Sequence, residues 1–96
     1  MTYTTALIRS AILESFTDTL SQNGVEDITV HPLDEADKNR FPKQLADNGR
    51  LSLAALESVA VEFLADQKKM GRLIKSLVVG ANAGKFGNHK IYISST

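Results

Sequence analysis

At 96 residues and 10.5 kDa, with 43% hydrophobic and 23% charged side chains, the chain is sized for a single small domain over 1–96. That composition excludes a disordered polyelectrolyte. The lack of cysteine excludes a disulfide framework or thiolate metal site, and no window reaches the roughly 18 apolar residues of a membrane span.

In chain order, Leu7, Ile8, Ala11, Ile12, Phe16 and Leu20 recur at spacings of three and four. This predicts a helix over about 5–22, capped by Thr4 or Thr5. Asn23-Gly24 supplies the left-handed stop, with Val25 folding back onto Leu20. Asp27 to His31 then alternates, which predicts a short strand near 27–31 that Pro32 ends or confines to an edge. Asp34 caps a helical turn through Asn39, and Pro42 favours a break and a second turn ending at Asn48-Gly49. Ser52 reads as an N-cap, with Leu51 stapled on Leu56. Leu53, Leu56, Val59, Ala60, Phe63 and Leu64 read as the stripe of a second long helix. Met70, Leu73, Ile74 and Leu77 resume helical spacing after Asp66–Lys69, and a bend at Asp66 or one helix running straight to Val79 both fit. A glycine- and asparagine-rich loop over 80–89 leads to a final strand near 90–94. The expected fold is α+β, with the two short strands paired antiparallel and three or more helices packed against them.

The residues carry little chemistry. Gly80 to Lys85 has GxxxGK spacing rather than GxxxxGK, Phe86 stands where a magnesium-holding Ser or Thr belongs, and too few residues follow for the helix that would face the phosphates. His31 and His89 show no metal-ligand spacing, and no serine lies in a GxSxG context. Adjacent acids such as Glu26-Asp27 and Asp34-Glu35 read as a solvated face. The expectation is a non-enzymatic protein with no cofactor and no metal. The N-terminus lacks signal-peptide features, so a cytoplasmic, membrane-free location is expected.

Charge is the informative feature. The net formal charge is zero, yet residues 1–37 set Arg9 against seven acids, a net of −6, while 67–96 hold six cations and no acid. One reading takes 52–65 and 68–78 as a helix-turn-helix with Lys68, Lys69, Arg72 and Lys75 on its second helix. The loop bearing Lys85, His89 and Lys90 then acts as a wing on DNA. The other takes Glu26, Asp27, Asp34, Glu35 and Asp37 as an acidic face that substitutes for nucleic acid in a basic channel.

With its acidic Asp34-Glu35-Ala36-Asp37 cluster, its size and its lack of cysteine, the chain resembles small phage or prophage anti-CRISPR proteins of the DNA-mimicking kind. Those proteins are directed against type I-F surveillance complexes. The resemblance implies a non-enzymatic inhibitor occupying a positively charged nucleic-acid channel of a crRNA-guided complex in a bacterial host. Glu26, Asp27, Asp34, Glu35 and Asp37 are then the contacts, with Lys68, Lys69, Arg72 and Lys75 secondary. A third reading is a structural or assembly protein of a phage.

Overall fold

The computed structural model describes residues 2–41, 46, 47, 50, 51, 58–87 and 91–95. The chain runs β1 (Thr2–Arg9), a 3-10 turn (Ser10–Ile12), α1 (Leu13–Gln22), β2 (Thr29–Pro32), α2 (Glu35–Arg40), β3 (Ala46–Asp47), β4 (Arg50–Leu51), β5 (Ser58–Ala65), α3 (Gln67–Asn82) and β6 (Tyr92–Ser95). It is an α+β fold. Four strands form one sheet in the order β2-β5-β1-β6, and β3 and β4 pair separately. The central strands β1 and β5 run antiparallel over eight residues, from Thr2↔Ala65 to Arg9↔Ser58. β6 adds to β1 and β2 to β5, both antiparallel. Among the four strands of this sheet, the first and third are central and each is followed by a helix that crosses one face. This is the split βαβ, ferredoxin-like arrangement.

The core lies between that face and the helices. Ala6 and Ile8 of β1 and Val61, Phe63 and Ala65 of β5 pack against Phe16 and Leu20 of α1 and Leu73 and Leu77 of α3. A smaller cluster on the opposite face joins Leu7 to Phe41, with Leu33 and Tyr92 packed against it.

Two predicted helices are strands in their decisive parts. The helix expected over 5–22 is β1 as far as Arg9 and becomes helical only from Leu13. Ala6 and Ile8 face the helices while Leu7 is buried on the other side, and a strand covered on both faces shows a continuous apolar run rather than alternation. The helix expected over 52–65 is β5 from Ser58 to Ala65, and residues 52–57 lie outside the described residues, with the Ser52 cap and the Leu51–Leu56 staple. Val59, Val61, Phe63 and Ala65 point to the helices. This two-residue period with β-branched residues outweighs the three-four spacing. The two edge strands, expected to pair with each other, stand at opposite edges of the sheet with β1 and β5 between them.

Thr4 and Thr5, expected to cap the first helix, are buried residues of β1, and α1 starts after Ile12 with no side-chain cap, whereas the capping signals at 20–25 and 34–37 hold. Val25 N donates to Leu20 O at 3.0 Å and Gly24, at φ +75°, donates to Ser21 O at 3.0 Å, which closes α1 in the Schellman manner. Asp34 caps α2. The second helical turn expected after Pro42 falls on residues mostly outside the described ones, but Ala46–Asp47 are ladder residues paired with Arg50–Leu51. Asp66 is a helix cap, not a bend: its side chain accepts from Lys69 N at 2.7 Å. The helix it starts runs to Asn82, so the first residues of the expected loop are helical. The turn after α3 carries Phe86 back into the core over Gly80, where an added Cβ would stand 3.0 Å from Phe86 Cε2. No described helix is long and apolar enough to cross a membrane.

Candidate functional site

β2 divides the acidic segment. Glu26 and Asp27 precede the strand, and Asp34, Glu35 and Asp37 follow it. Glu26, Asp27, Asp34 and Glu35 are exposed, but Asp37 is fully buried and therefore closed to a partner. Asp37 is therefore not part of an exposed acidic surface, and Glu26, Asp27, Asp34 and Glu35 are the members that face solvent.

Asp37 is buried because it completes a reciprocal cap. Asp34 N donates to Asp37 Oδ2 at 2.9 Å and Asp37 N donates to Asp34 Oδ1 at 2.9 Å. Arg40 Nη1 stands 3.4 Å from Asp37 Oδ1. Loss of solvent pushes the Asp37 carboxyl above the usual carboxylate range. The amide of Asp37 holds the carboxyl of Asp34 below that range.

The cap joins a polar network on the sheet face opposite α1 and α3. Strand register places Thr29 and Thr5 across from Glu62, and His31 across from Ala60, so these side chains share that face. Tyr3 Oη donates to Glu62 Oε2 at 2.8 Å, and His31 Nε2 lies 3.2 Å from Glu62 Oε1. Arg40 Nη1 lies 3.9 Å from the same oxygen. The Tyr3 hydroxyl, with His31 and Arg40, lowers the Glu62 carboxyl below its ordinary value, and the Tyr3 phenol is correspondingly raised. His31 Nδ1 lies 2.7 Å from Pro32 O and 3.7 Å from Asp37 Oδ2. Burial alone would depress His31, but the Pro32 carbonyl, Glu62 and Asp37 outweigh it and the ring is raised above 6.5.

The sign of that shift sets a pH dependence. A raised histidine adds stability that is complete below the unfolded value of 6.5 and is lost as pH rises through the folded value. His31→Gln is therefore expected to destabilise the fold by about 1 kcal/mol near pH 6, with the difference from the parent shrinking by about pH 8.5. Urea unfolding at the two pH values reads it. A difference that grows with pH refutes the assignment.

Ligand atoms of His31, Asp34 and Asp37 lie within 4.8 Å of one another, close enough to consider a cation. The donor set does not fit one. A carbonyl only accepts, so Nδ1 carries its proton toward Pro32, and both Asp37 oxygens accept from Asp34 N and Arg40. The cluster acts as a tie between β2, α2 and β5.

The basic C-terminal third is the second feature. Lys69 Nζ donates to Gly24 O at 3.1 Å, and Lys85 Nζ donates to Thr19 Oγ1 at 2.9 Å, so both bind the α1 end. Lys68, Arg72 and Lys75 are exposed. The helix-turn-helix motif is not formed, because the residues that lead into α3, 58–65, are the central strand β5. His89 and Lys90 of the expected wing lie outside the described residues. Sequence reasoning missed Tyr3, Arg40 and Glu62. Its one available signal was Glu62, the only charge in the apolar run 58–65.

No family model and no curated protein matches this chain. Solved structures do. A PII-like signalling protein from Thermus thermophilus aligns with a TM-score of 0.58 at 10% identity, over 99% of this chain and 85% of that one. CPII of Thiomonas intermedia K12, described as a nitrogen regulatory PII-like protein, aligns in its apo form with a TM-score of 0.58 at 13% identity, over 99% and 87%. The same protein bound to ADP, AMP and bicarbonate aligns with a TM-score of 0.59 at 13% identity, over 99% and 84%. At these identities the likeness shows the fold, which is that of PII-like proteins.

Proposed function

We propose that this chain is a non-enzymatic regulatory protein that binds an adenine nucleotide and passes that state to a protein target. The observation that carries the reading is the extent of the likeness, 99% of this chain against most of a nucleotide-bound regulatory protein. The exposed Lys68, Arg72 and Lys75 of α3 supply cations that suit the phosphates of such a ligand. Thermal unfolding with ADP or AMP tests it. Ligand at 100 times Kd stabilises the folded state by about 2.7 kcal/mol, which for a domain of this size raises Tm by roughly 10–20 °C. An unmoved Tm at millimolar nucleotide overturns the reading.

Exposed acids favour a second reading, the inhibitor that substitutes for nucleic acid on a CRISPR surveillance complex. It rests on Glu26, Asp27, Asp34 and Glu35, since Asp37 is buried. Glu26→Lys with Glu35→Lys, which spares the Asp34–Asp37 cap, would abolish binding to a type I-F complex if it holds, and unaltered binding removes it.

A further inference from the structure

A groove of about 420 Å3 is lined by both long helices, a volume in the range of small-molecule sites. α1 contributes Thr19 and Gln22, and α3 contributes Lys75, Ser76 and Val79. Lys85 reaches the groove from the turn that follows α3. The two charges in the lining are both positive, and no acid among the described residues joins them. Asp18 adjoins Thr19 in sequence but does not line the groove.

Lys85 is held in place rather than left to roam the surface. Its stem lies over Gly80, where an added Cβ would stand 3.4 Å from Lys85 Cδ. Its ammonium donates to Thr19 Oγ1 at 2.9 Å and stands 6.0 Å from the centre of the Phe86 ring. Thr19 is buried and donates its own proton to Ser15 O at 2.9 Å, so its oxygen is fixed as an acceptor. Two protons of the Lys85 ammonium remain for a ligand. A lysine head positioned in advance spares part of the side-chain ordering that binding otherwise costs. Lys75, the second cation, is exposed and has no hydrogen-bond or ion-pair partner among the described residues. Ser76 Oγ donates to Asn23 Oδ1 at 3.1 Å, so toward the groove it too can only accept.

We infer that this groove binds a small hydroxylated phosphate monoester. Its phosphate lies against Lys85 and Lys75, and its hydroxyls donate to Ser76 Oγ and the Gln22 carboxamide. Two cations with no acid beside them select a dianion, and a phosphate monoester carries close to two negative charges at neutral pH. Val79 and Ala83 offer a short apolar contact to a carbon skeleton, and the lining has no aromatic ring on which a purine would stack. The site is therefore additional to the one that the nucleotide reading requires, and its central cation, Lys85, has no part in that reading.

Glycerol phosphate is the probe, titrated into the full chain at low salt with the amide resonances followed by NMR. The shifts are expected to saturate in the millimolar range and to centre on Thr19, Ser76, Gly80 and Ala83. Lys85→Met keeps the stem over Gly80, loses the ammonium and is expected to weaken binding about tenfold. Val79→Glu keeps the Lys85 tie and sets a carboxylate in the groove at a position 67% exposed. It is expected to weaken binding as much while the melting temperature stays parental. Shifts that never saturate, that sodium chloride reproduces at matched ionic strength, or that persist in both variants overturn the inference. Glycerol alone shifting the same amides, or inorganic phosphate binding as tightly as the ester, overturns the assignment of the ligand. Calorimetry with ADP runs alongside on the parent and on Lys85→Met. Ester binding by a parent that ignores ADP leaves the groove standing and removes the regulatory reading. Loss of ADP and ester together in Lys85→Met makes the groove the nucleotide's own phosphate site and overturns a separate one.

Discussion

Phe63→Ala is expected to cost about 3–5 kcal/mol, against a total stability on the order of 5–14 kcal/mol for a chain of this length. Phe63 has no exposed surface and belongs to the cluster that joins β5 to α1 and α3, so removal of the ring opens a cavity in the core that holds Phe16, Leu20 and Leu73. Its neighbour makes the experiment diagnostic. Leu64 lies on the opposite face of the strand and is only half-buried, so Leu64→Ala is expected to cost about 1 kcal/mol. In a helix over 52–65 the two side chains would share one buried stripe and cost similar amounts. Urea unfolding of both variants separates the strand from the helix, and equal losses would mean that β5 is wrong.

Asp37 gives the second large effect. Asp37→Ala removes the reciprocal cap of α2 and deprives Asp34 N and Arg40 of a buried acceptor. A loss of about 2–3 kcal/mol is expected, or a Tm lowered by roughly 10–20 °C. Asp37→Asn keeps an oxygen for Asp34 N and is expected to lose less than half as much. Asp37→Lys buries a cation beside His31 and should be the worst of the three. A charge-reversal test of nucleic-acid mimicry that includes either member of the cap, Asp34 or Asp37, would thus mix lost binding with lost folding, which is why Glu26 and Glu35 are the residues to reverse. Thermal melts of the three variants decide it: if Asp37→Ala melts with the parent, the carboxyl is not the tie described.

What could be read from the sequence was local. The end of α1 at Asn23-Gly24-Val25 and the Asp34 cap depend on residues within five positions of one another, and both stand as expected. The α+β class followed from the same signals. The central strands did not, because their burial is set by distant partners. Leu7 is covered by Phe41 and Tyr92, and the Ala6–Ile8 run therefore looks the same whether the chain is helical or extended. At 58–65 the apolar positions satisfy both periods, and only pairing with β1 on one side and β2 on the other decides between them.

The polar network was hidden for a related reason. Asp37 lies three residues from Asp34 and looked like one more surface acid. Its burial requires α2 to close on the sheet, where Glu62, Tyr3 and His31 meet only through the register of three strands. The charge imbalance along the chain was plain in the sequence, but its arrangement was not. β2 separates the acids, Lys69 and Lys85 bind the end of α1, and Lys68, Arg72 and Lys75 are left outward beside exposed aliphatics.

Calorimetric titration of the full chain with ADP bears most directly on the regulatory reading. Saturable heat at a Kd below about 1 mM, abolished by competing AMP and absent with adenosine alone, is the predicted outcome, since the phosphates are what Lys68, Arg72 and Lys75 should hold. Flat titrations with both nucleotides would contradict it and leave this chain sharing only the fold of its structural neighbours.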